Sequence, residues 1–595
     1  MHNMDYKLNT EENKAGTEER KHDLANAWGS IAPLLRGEGK NLSIAFVAVF
    51  ITSAANLLAP VLIAHVIDTA IGAHDFASVL RYSAFLLAVY ILGLAAQYLQ
   101  TIRMGTVGRG VLFKLRNALF GKLSELPIAF FNANKSGDLI SRINNDTDKL
   151  NQFFAQALMQ FIGNFFIILG AGILLLALNW RLGIAALLPA LFVLGATQLL
   201  GPWVKRTSRE GLAALGSMSA EVQESLANFK VIVAFNRLDY FREKFAQANE
   251  RNYRANIRAG VASNLFAPLY TLAANVAQLA VLGFGVYLIS HGELTIGLLI
   301  GYLLYVTNFY NPLRQLASVW SSFQTALASL DRVGDVLALE NNLPVLPELG
   351  VVGRQGSALL AFSDVSFAYV PEKPILHDVS FSLEQGKTYA LVGPTGGGKT
   401  TTASLMARLF DPSSGTILLS GRDIRSYTPE ERAQKIGFIL QEPFLWSGTV
   451  AENIAYGNAE LAALTPGELH ERIEQAGLAK LIERFSEGLT TSVSSGSASI
   501  SLGQRQLVAF MRAVLRKPDI LILDEATANI DTVTEQSLEE VLEALPAMTT
   551  KVIIAHRLNT IENADTIFFV NGGTVTEAGS MEHAVEMLLH NKRSS

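Results

Sequence analysis

Lys387-Thr388-Tyr389-Ala390-Leu391-Val392-Gly393-Pro394-Thr395-Gly396-Gly397-Gly398-Lys399-Thr400-Thr401 decides how the rest of the chain is read. A short β-rich run leads into a glycine-rich stretch that closes on Lys and Thr, the strand, loop, helix context of a phosphate-binding loop. Gly393, Gly396 and Gly398 let backbone amides curl around phosphate oxygens where side chains would obstruct them. Lys399 brings charge to the β- and γ-phosphates, and Thr400 a hydroxyl for magnesium. The residues before about Glu340 are apolar enough to lie in a membrane. A nucleotide site fused to membrane helices implies that ATP energy moves something across, or within, a bilayer.

The composition is an average over these unlike halves. Charged residues make up 17% of the 595 and hydrophobic ones 50%, against roughly 25% charged in soluble domains. Net charge of −5 and a pI near 6.1 give none of the basic field that nucleic-acid binders carry, which argues against a nucleic-acid partner. With no cysteine, disulfides, Cys-containing zinc sites and thiol catalysis are excluded. The residues to about Asn26 are polar and lack the apolar core of a cleavable signal, so insertion is expected to rely on the first span.

Stretches of ~20 apolar residues mark spans. Six are readable: Leu42 to Ile71, Val79 to Thr101, Phe153 to Leu178, Leu182 to Val204, Val261 to Ser290 and Leu298 to Leu316. The connections at Gly72 to Asp75, Asn179 to Arg181 and His291 to Glu293 are short and nearly free of Lys and Arg. Those at Arg103 to Lys149 and Lys205 to Arg258 are long and basic, which puts them and both termini on the cytoplasmic side. Leu112, Leu115, Leu119 and Leu123 recur at helical spacing, so the membrane helices extend beyond the bilayer. Each long excursion is expected to hold a short segment that meets the nucleotide domain, near Phe130 to Gly137 and near Leu212 to Ala220. Trp28, Ile31, Leu34 and Leu35 suit an interfacial helix. Charged residues are nearly missing from the spans. His65, Asp68, Arg81 and Arg314 fall at span ends, where snorkelling is expected, and neutral amides such as Asn56, Gln97, Asn164, Gln278 and Asn308 suit links between helices. Pro60, Pro189, Pro268 and Pro312 are expected kinks.

Beyond the loop, Ile520-Leu521-Ile522-Leu523-Asp524-Glu525 reads as a buried strand ending in two carboxylates, the first placed to organise magnesium and the second to polarise water. Ile553-Ile554-Ala555-His556 is another strand ending in a polar group. Taken singly, His556 is as consistent with a structural histidine, Gln441 with an ordinary strand end and Tyr369 with a core tyrosine as with contacts to γ-phosphate, magnesium and adenine.

Their order along the chain resembles a half-transporter of the ATP-binding cassette exporter family, of the multidrug and lipid exporter type. The markers are an aromatic A-loop at Tyr369, Walker A at Gly393 to Thr400, a Q-loop at Gln441, a signature at Ile500-Ser501-Leu502-Gly503-Gln504, Walker B at Asp524 with Glu525, a D-loop at Ala528 to Asp531 and a switch at His556. Phe130-Phe131 and Gly137 to Arg142 match the membrane half less sharply. The resemblance implies an all-α transmembrane domain of six helices fused to an α/β P-loop nucleotide-binding domain with a β-subdomain and a helical subdomain. The expected divisions are a lead-in over 1–26, the transmembrane domain over 27–335, a linker over 336–358 and the cassette over 359–595. It also implies ATP and magnesium as cofactors. Tyr369, Gly393, Pro394, Thr395, Gly396, Gly397, Gly398, Lys399, Thr400 and Thr401 would bind ATP. Thr400, Gln441 and Asp524 would hold magnesium, and Glu525, His556 and Gln441 would be catalytic. Ser501, Gly503 and Gln504, with Asp531 of the D-loop, would reach the opposite site, because two cassettes close head to tail around two ATP molecules.

Two departures qualify this. Leu502 stands where the family has its first signature glycine, and a side chain there disturbs closure around the opposite γ-phosphate. With its own Walker motifs, Glu525 and His556 intact, the chain resembles the catalytic subunit of heterodimeric bacterial exporters; a homodimer is the alternative. Ser494-Ser495-Gly496-Ser497 replaces the family's Gly-Glu-Arg-Gly and lacks its Glu. Export of an amphipathic or lipid-like molecule across a bacterial inner membrane is the expected activity. An importer of the same architecture, or an ATP-gated channel or regulatory subunit, are the alternatives.

Overall fold

A computed structural model describes residues 6, 8, 36–340, 343–347, 358–441, 443–494, 500–524, 532–543, 545–554, 564–579, 583 and 586–587. The chain divides into two compact units: Asn9–Ser124 with Ser136–Ala338, and Met1–Leu8 with Glu125–Lys135 and Leu339–Ser595. The expected interfacial helix at Trp28 to Leu35 lies outside the described residues.

Among its described residues the first unit holds helices and short turns, and no strand. Its elements are α1 (Gly39–His65), α2 (Phe76–Glu125, to Ser124 in this unit), then, past α3 (Ile128–Ala133) of the other unit, α4 (Ser136–Ser141), α5 (Thr147–Gln152), α6 (Leu158–Leu178), α7 (Trp180–Ala227), α8 (Phe229–Ala234), α9 (Leu238–Asn264), α10 (Phe266–Ser290) and α11 (Ile296–Leu337). Wider π turns continue α1 over Val66–Ile71 and fill Arg142–Asp146 and Phe153–Ala157. Among the described residues five helical stretches are long and apolar enough to cross a membrane: Gly39–Ile71, Phe76–Glu125, Ser136–Leu178, Trp180–Ala227 and Leu238–Ser290. The sixth stretch read from the sequence lies in α11, where Thr307, Asn308 and Asn311 dilute the apolar run.

At 50 residues, α2 is about 75 Å long, more than twice the hydrocarbon thickness. Its lower half holds together through a stripe: Met104, Val107, Val111, Leu115, Leu119 and Leu123 are all buried. Their three- and four-residue spacing is the pattern of a helix packed along one face. The segment at Leu212 to Ala220, expected to meet the nucleotide domain, lies inside the continuous helix α7. The turn comes later, at α8, where Asn228 and Asn236 bracket the short helix and Asn236 takes a positive φ of 49°. Apolar periodicity continued through 212–220 and hid the true turn, which Asn residues mark.

Helix contacts use hydroxyls as much as amides. Gln278 Nε2 donates to Thr307 Oγ1 at 3.1 Å and Asn308 Nδ2 to the Asn56 carbonyl at 3.1 Å. Tyr302 and Tyr310 of α11, buried, donate to the carbonyls of Leu175 and Ala186 at 2.8 and 2.9 Å. A buried tyrosine brings its own donor and packs its ring, so apolar helices can be tied without an amide. Asp68 does not snorkel: it accepts from the Gly297 amide at 2.8 Å and from the Thr295 hydroxyl. A carboxylate at the start of α11 satisfies an orphan N–H and faces the positive end of the helix dipole.

The Gly137 to Arg142 stretch forms a buried ionic cluster. Arg142, 1% exposed, donates to Asp138 at 2.9 Å and to the Arg332 carbonyl. Arg332 donates to Asp138 at 3.0 Å and sits 3.0 Å from Asp146, itself 1% exposed, in a charge contact without hydrogen-bond alignment. Asp146 also takes Ser329 Oγ at 3.2 Å and Lys149 at 3.4 Å. Arg142–Asp146 is a π turn, which inserts a residue into the helical register and re-aims the side chains beside it.

The second unit contains an antiparallel sheet in the order β2-β1-β4-β5 and a six-stranded sheet in the order β12-β11-β3-β10-β9-β6. The first is built from β1 (Ala358–Val370), β2 (Lys373–Glu384), β4 (Ser414–Leu419) and β5 (Arg422–Asp423). The second comprises β3 (Thr388–Val392), β6 (Ile436–Ile439), β9 (Ile520–Asp524), β10 (Thr550–Ile554), β11 (Thr566–Asn571) and β12 (Thr574–Glu577), and all but β12 run parallel. A small pair, β7 (Gly448–Thr449) with β8 (Ser492–Val493), lies within the helical segment that follows β6. Strand β9 is buried at all five positions, as central strands of parallel sheets are, which is why it reads as an unbroken apolar run. A separate core of Leu445, Val450, Ile473, Leu507, Phe510 and neighbours supports the helical segment.

Candidate nucleotide site

Parallel register brings the polar residues to one edge. Leu391 of β3 is level with Ile554 of β10, Ile554 with Asp524 of β9, and Leu523 with Ile439 of β6. The residues beyond these carboxyl ends therefore gather where open α/β sheets bind ligands. They include the phosphate loop after β3, Asp524 at the end of β9 and Gln441 just past β6. Glu525, Asp531 and His556 lie outside the described residues.

The loop is shaped by its neighbours as well as by its ligand. Gly393 has φ +154° and a Cβ there would collide with the Val570 carbonyl; Gly398 has φ +115° and a Cβ there would meet Leu376. Gly396, grouped with them in the sequence reading, faces open space. Gly398 caps α12 (Lys399–Met406), whose first amides lie at the loop and suit an anion. Lys399, 6% exposed, donates to the carbonyls of Gly393 and Pro394 at 2.8 and 3.0 Å, which holds the ammonium inside the loop. Thr395 and Gly396 form its exposed tip, and Gly397 is buried behind them. Thr400 Oγ1 donates to Asp524 Oδ1 at 3.4 Å. A hydroxyl and a carboxylate side by side are hard oxygen donors of the kind magnesium takes beside nucleotide phosphates, so the residues fit the ion.

Tyr369 is 47% exposed, backed edge-on by Phe367 and Phe410 at 4.8 and 5.1 Å, and its hydroxyl lies 3.2 Å from Thr401 Oγ1. It is held by a core without being part of it, which leaves aromatic surface open. Gln441 is exposed at the end of β6.

The signature begins α13 (Leu502–Val514). Ser501 is its N-cap, accepting from the Gln504 amide at 3.1 Å while Gln504 Oε1 accepts from the Ser501 amide at 2.9 Å. This reciprocal capping box fixes the first turn. Gln504 Nε2 also donates to the Arg484 carbonyl at 2.7 Å, so its amide is engaged within its own cassette. Gly503 is buried and Leu502 half-buried beside it.

Two residues that motif reading passes over join these parts. Asn453, 1% exposed, accepts from the Trp446 amide at 2.8 Å and donates to the Trp446 carbonyl at 2.8 Å. Arg512 of α13 donates to the Asn453 carbonyl at 2.8 Å, to Asn453 Oδ1 at 3.2 Å and to the Phe444 carbonyl at 3.3 Å. The segment following Gln441 is thereby fastened to the signature helix. Burial pulls the Arg512 guanidinium below its ordinary pKa, yet an arginine remains a cation. A buried Asn seven residues beyond an aromatic pair carries no sequence signal of its own.

Comparison with known proteins agrees with this geometry. Residues 42–313 match the family model of the ABC transporter transmembrane region, and 376–528 that of the ABC transporter cassette. A fatty acid ABC transporter ATP-binding/permease protein of Mycobacterium bovis is 33% identical over 85% of this chain and 79% of its own length. An ATP-dependent lipid A-core flippase of Cupriavidus metallidurans is 29% identical over 96% of this chain and 95% of its own. The structure of a bacterial Atm1-family ABC exporter with ATP bound superposes with a TM-score of 0.76 at 25% identity, covering 94% of this chain and 96% of that one. With both regions in order on one polypeptide and relatives spanning most of its length, the chain belongs to the ATP-binding cassette exporters, integral membrane proteins in which the cassette hydrolyses ATP in coupling to transport.

Proposed function

We propose that this chain is one half of a two-subunit exporter of an amphipathic, lipid-like molecule, with six spans, a cytoplasmic cassette and Glu525 as the base that activates water. The observation that carries the nucleotide chemistry is the shared edge at which the phosphate loop, Asp524 and the Gln441 segment meet. Lys399, Thr400 and the loop amides would hold the phosphates, and Tyr369 would stack on adenine. Magnesium, held by Thr400, Asp524 and Gln441, would neutralise phosphate charge. Glu525 would take the proton of the attacking water, and His556 would orient the γ-phosphate. The printed names of relatives, a fatty acid transporter and a lipid A-core flippase, support a lipid-like cargo, as do spans whose charged groups sit at their ends.

Assembly with a second half is supported by surface left bare. Helix α8 and its flanks expose Leu226, Phe229, Val231, Val233 and Phe235 at 50–74%, a contiguous apolar run that water does not favour. In the cassette Phe444, Trp446 and Tyr456 are 49–58% exposed. The partner subunit's cassette would receive α8, and Ser501, Gly503, Gln504 and Asp531 would face its ATP. Leu502 supports a heterodimer, because the site it disturbs is then the partner's degenerate one. The test is ATP turnover by this chain purified alone in lipid nanodiscs, with Leu502→Gly beside it. Little turnover alone, raised tenfold or more by Leu502→Gly, is the expected result; equal, substantial turnover by both would show a homodimer that tolerates Leu502.

A further inference from the structure

Within the first 35 residues the described ones are Tyr6 and Leu8, and each is 5% exposed. They are buried against the short helix α3 and the residue that follows it. Asn134 uses its whole amide there. Its Oδ1 accepts from the Leu8 amide at 2.9 Å, and its two Nδ2 hydrogens go to the carbonyls of Tyr6 at 2.8 Å and Phe130 at 2.8 Å. A side chain that reads the N–H of one residue and the C=O of the residue two before it does what a neighbouring β-strand does, recognising extended backbone without regard to sequence. Selectivity comes from the ring. Tyr6 packs edge-on to Phe130 with centroids 6.3 Å apart at 81°, and its hydroxyl donates to the Glu340 carbonyl at 3.1 Å.

The structure assigns to the Phe130 and Asn134 face a peptide-binding site for an aromatic-x-aliphatic segment, occupied by the chain's own Tyr6 and Leu8. Its position gives it a role. Glu125–Lys135 clusters with the cassette although its chain neighbours on both sides belong to the helical unit, and Leu339, just before Glu340, is where the chain next returns to the cassette unit. Tyr6 touches both places, so occupancy ties α3 to the start of the linker and release lets them move separately. A tether of this kind acts as an intramolecular ligand at roughly millimolar effective concentration.

The test uses the full chain and a form lacking residues 1–9, both in lipid nanodiscs, with a fluorescent synthetic peptide of residues 2–12. The truncated form is expected to bind the peptide saturably, and the full chain about tenfold or more weakly, because its own segment competes. In the truncated form Asn134→Asp keeps an acceptor for Leu8 but sets oxygen against two carbonyls, and should weaken binding about 10- to 100-fold. Peptide carrying Tyr6→Phe loses one hydrogen bond and should bind about fivefold more weakly, whereas Tyr6→Ala should abolish binding. Because peptide variants leave the protein intact, misfolding cannot imitate them. Hydrogen exchange over 128–135 should quicken on truncation and slow again when peptide is added. Equal peptide binding by both forms, indifference to Tyr6→Ala, or no saturable binding by the truncated form at millimolar peptide would overturn the assignment.

Discussion

Asp146→Asn is the sharpest probe of the ionic cluster in the helical unit. The substitution is isosteric and leaves Ser329 a partner, so it changes charge with little change in shape. Asp146 is 1% exposed, 3.0 Å from Arg332 and 3.4 Å from Lys149. Two carboxylates, Asp138 and Asp146, face three cations, Arg142, Arg332 and Lys149. Removing one carboxylate leaves Asp138 alone against them. Breaking a buried pair on one side costs about 3–5 kcal/mol, because the surviving charge stays desolvated. A membrane exporter unfolds irreversibly, so its stability is read as a rate. If the cluster persists until the unfolding barrier, the inactivation half-life in nanodiscs should shorten by about two to four orders of magnitude at fixed temperature. Arg332→Lys should behave similarly, since one ammonium cannot reproduce a guanidinium that reaches Asp138 and Asp146 through different nitrogens. A half-life within about fivefold of the parent for both variants would refute the reasoning, showing that the cluster is solvated or breaks early.

Arg512→Ala should cut ATP turnover about tenfold or more by loosening the Phe444 segment from the signature helix, with little effect on ATP affinity; a rise in KM alone would contradict this, since each charged hydrogen bond lost is worth about 1.5–3 kcal/mol. Tyr369→Ala should raise the KM for ATP about tenfold through lost stacking at unchanged kcat, whereas Tyr369→Phe should be near neutral. The ion pair of Lys435 with Asp519, 2.8 Å apart, raises the lysine pKa chiefly through that hydrogen bond. A raised lysine pKa means the contribution is complete below the unfolded value of about 10.4 and fades as pH climbs through the folded one. Lys435→Met should therefore lower thermal stability at pH 8, and the difference from the parent should vanish in strongly alkaline solution. A constant difference across that range would assign the effect to packing instead.

How far the sequence could be read followed from the length of the pattern in each region. Apolar runs and strand-ending motifs are continuous in sequence, so the long helices, strand β9 and the phosphate loop were legible. The repeat at Leu112, Leu115, Leu119 and Leu123 even announced that α2 outlasts the bilayer. The turn at α8 was misplaced, because amphipathic periodicity ran unbroken through Leu212 to Ala220 and short polar Asn residues alone mark the reversal. Asp68 read as a snorkelling carboxylate, but its partners Thr295 and Gly297 are more than two hundred residues away and no local pattern shows them. Separation along the chain likewise hides Arg332 from Asp138, 194 residues away, and Asn453 from Arg512, 59 away. Gly393 was assigned to phosphate approach alone, while the structure adds a second constraint from the Val570 carbonyl on a neighbouring strand. Residues that act through a motif were visible, and residues that hold motifs together were not.

The proposed role of Glu525 as the base for ATP hydrolysis coupled to transport is the point on which the mechanism stands or falls. It is tested most directly by purifying the chain with whatever subunit accompanies it from its source organism and measuring magnesium-dependent ATP hydrolysis in nanodiscs, with Glu525→Gln in the same assembly. The account predicts loss of turnover by about 10²- to 10⁴-fold with ATP binding preserved. Hydrolysis by the variant within twofold of the parent would contradict it.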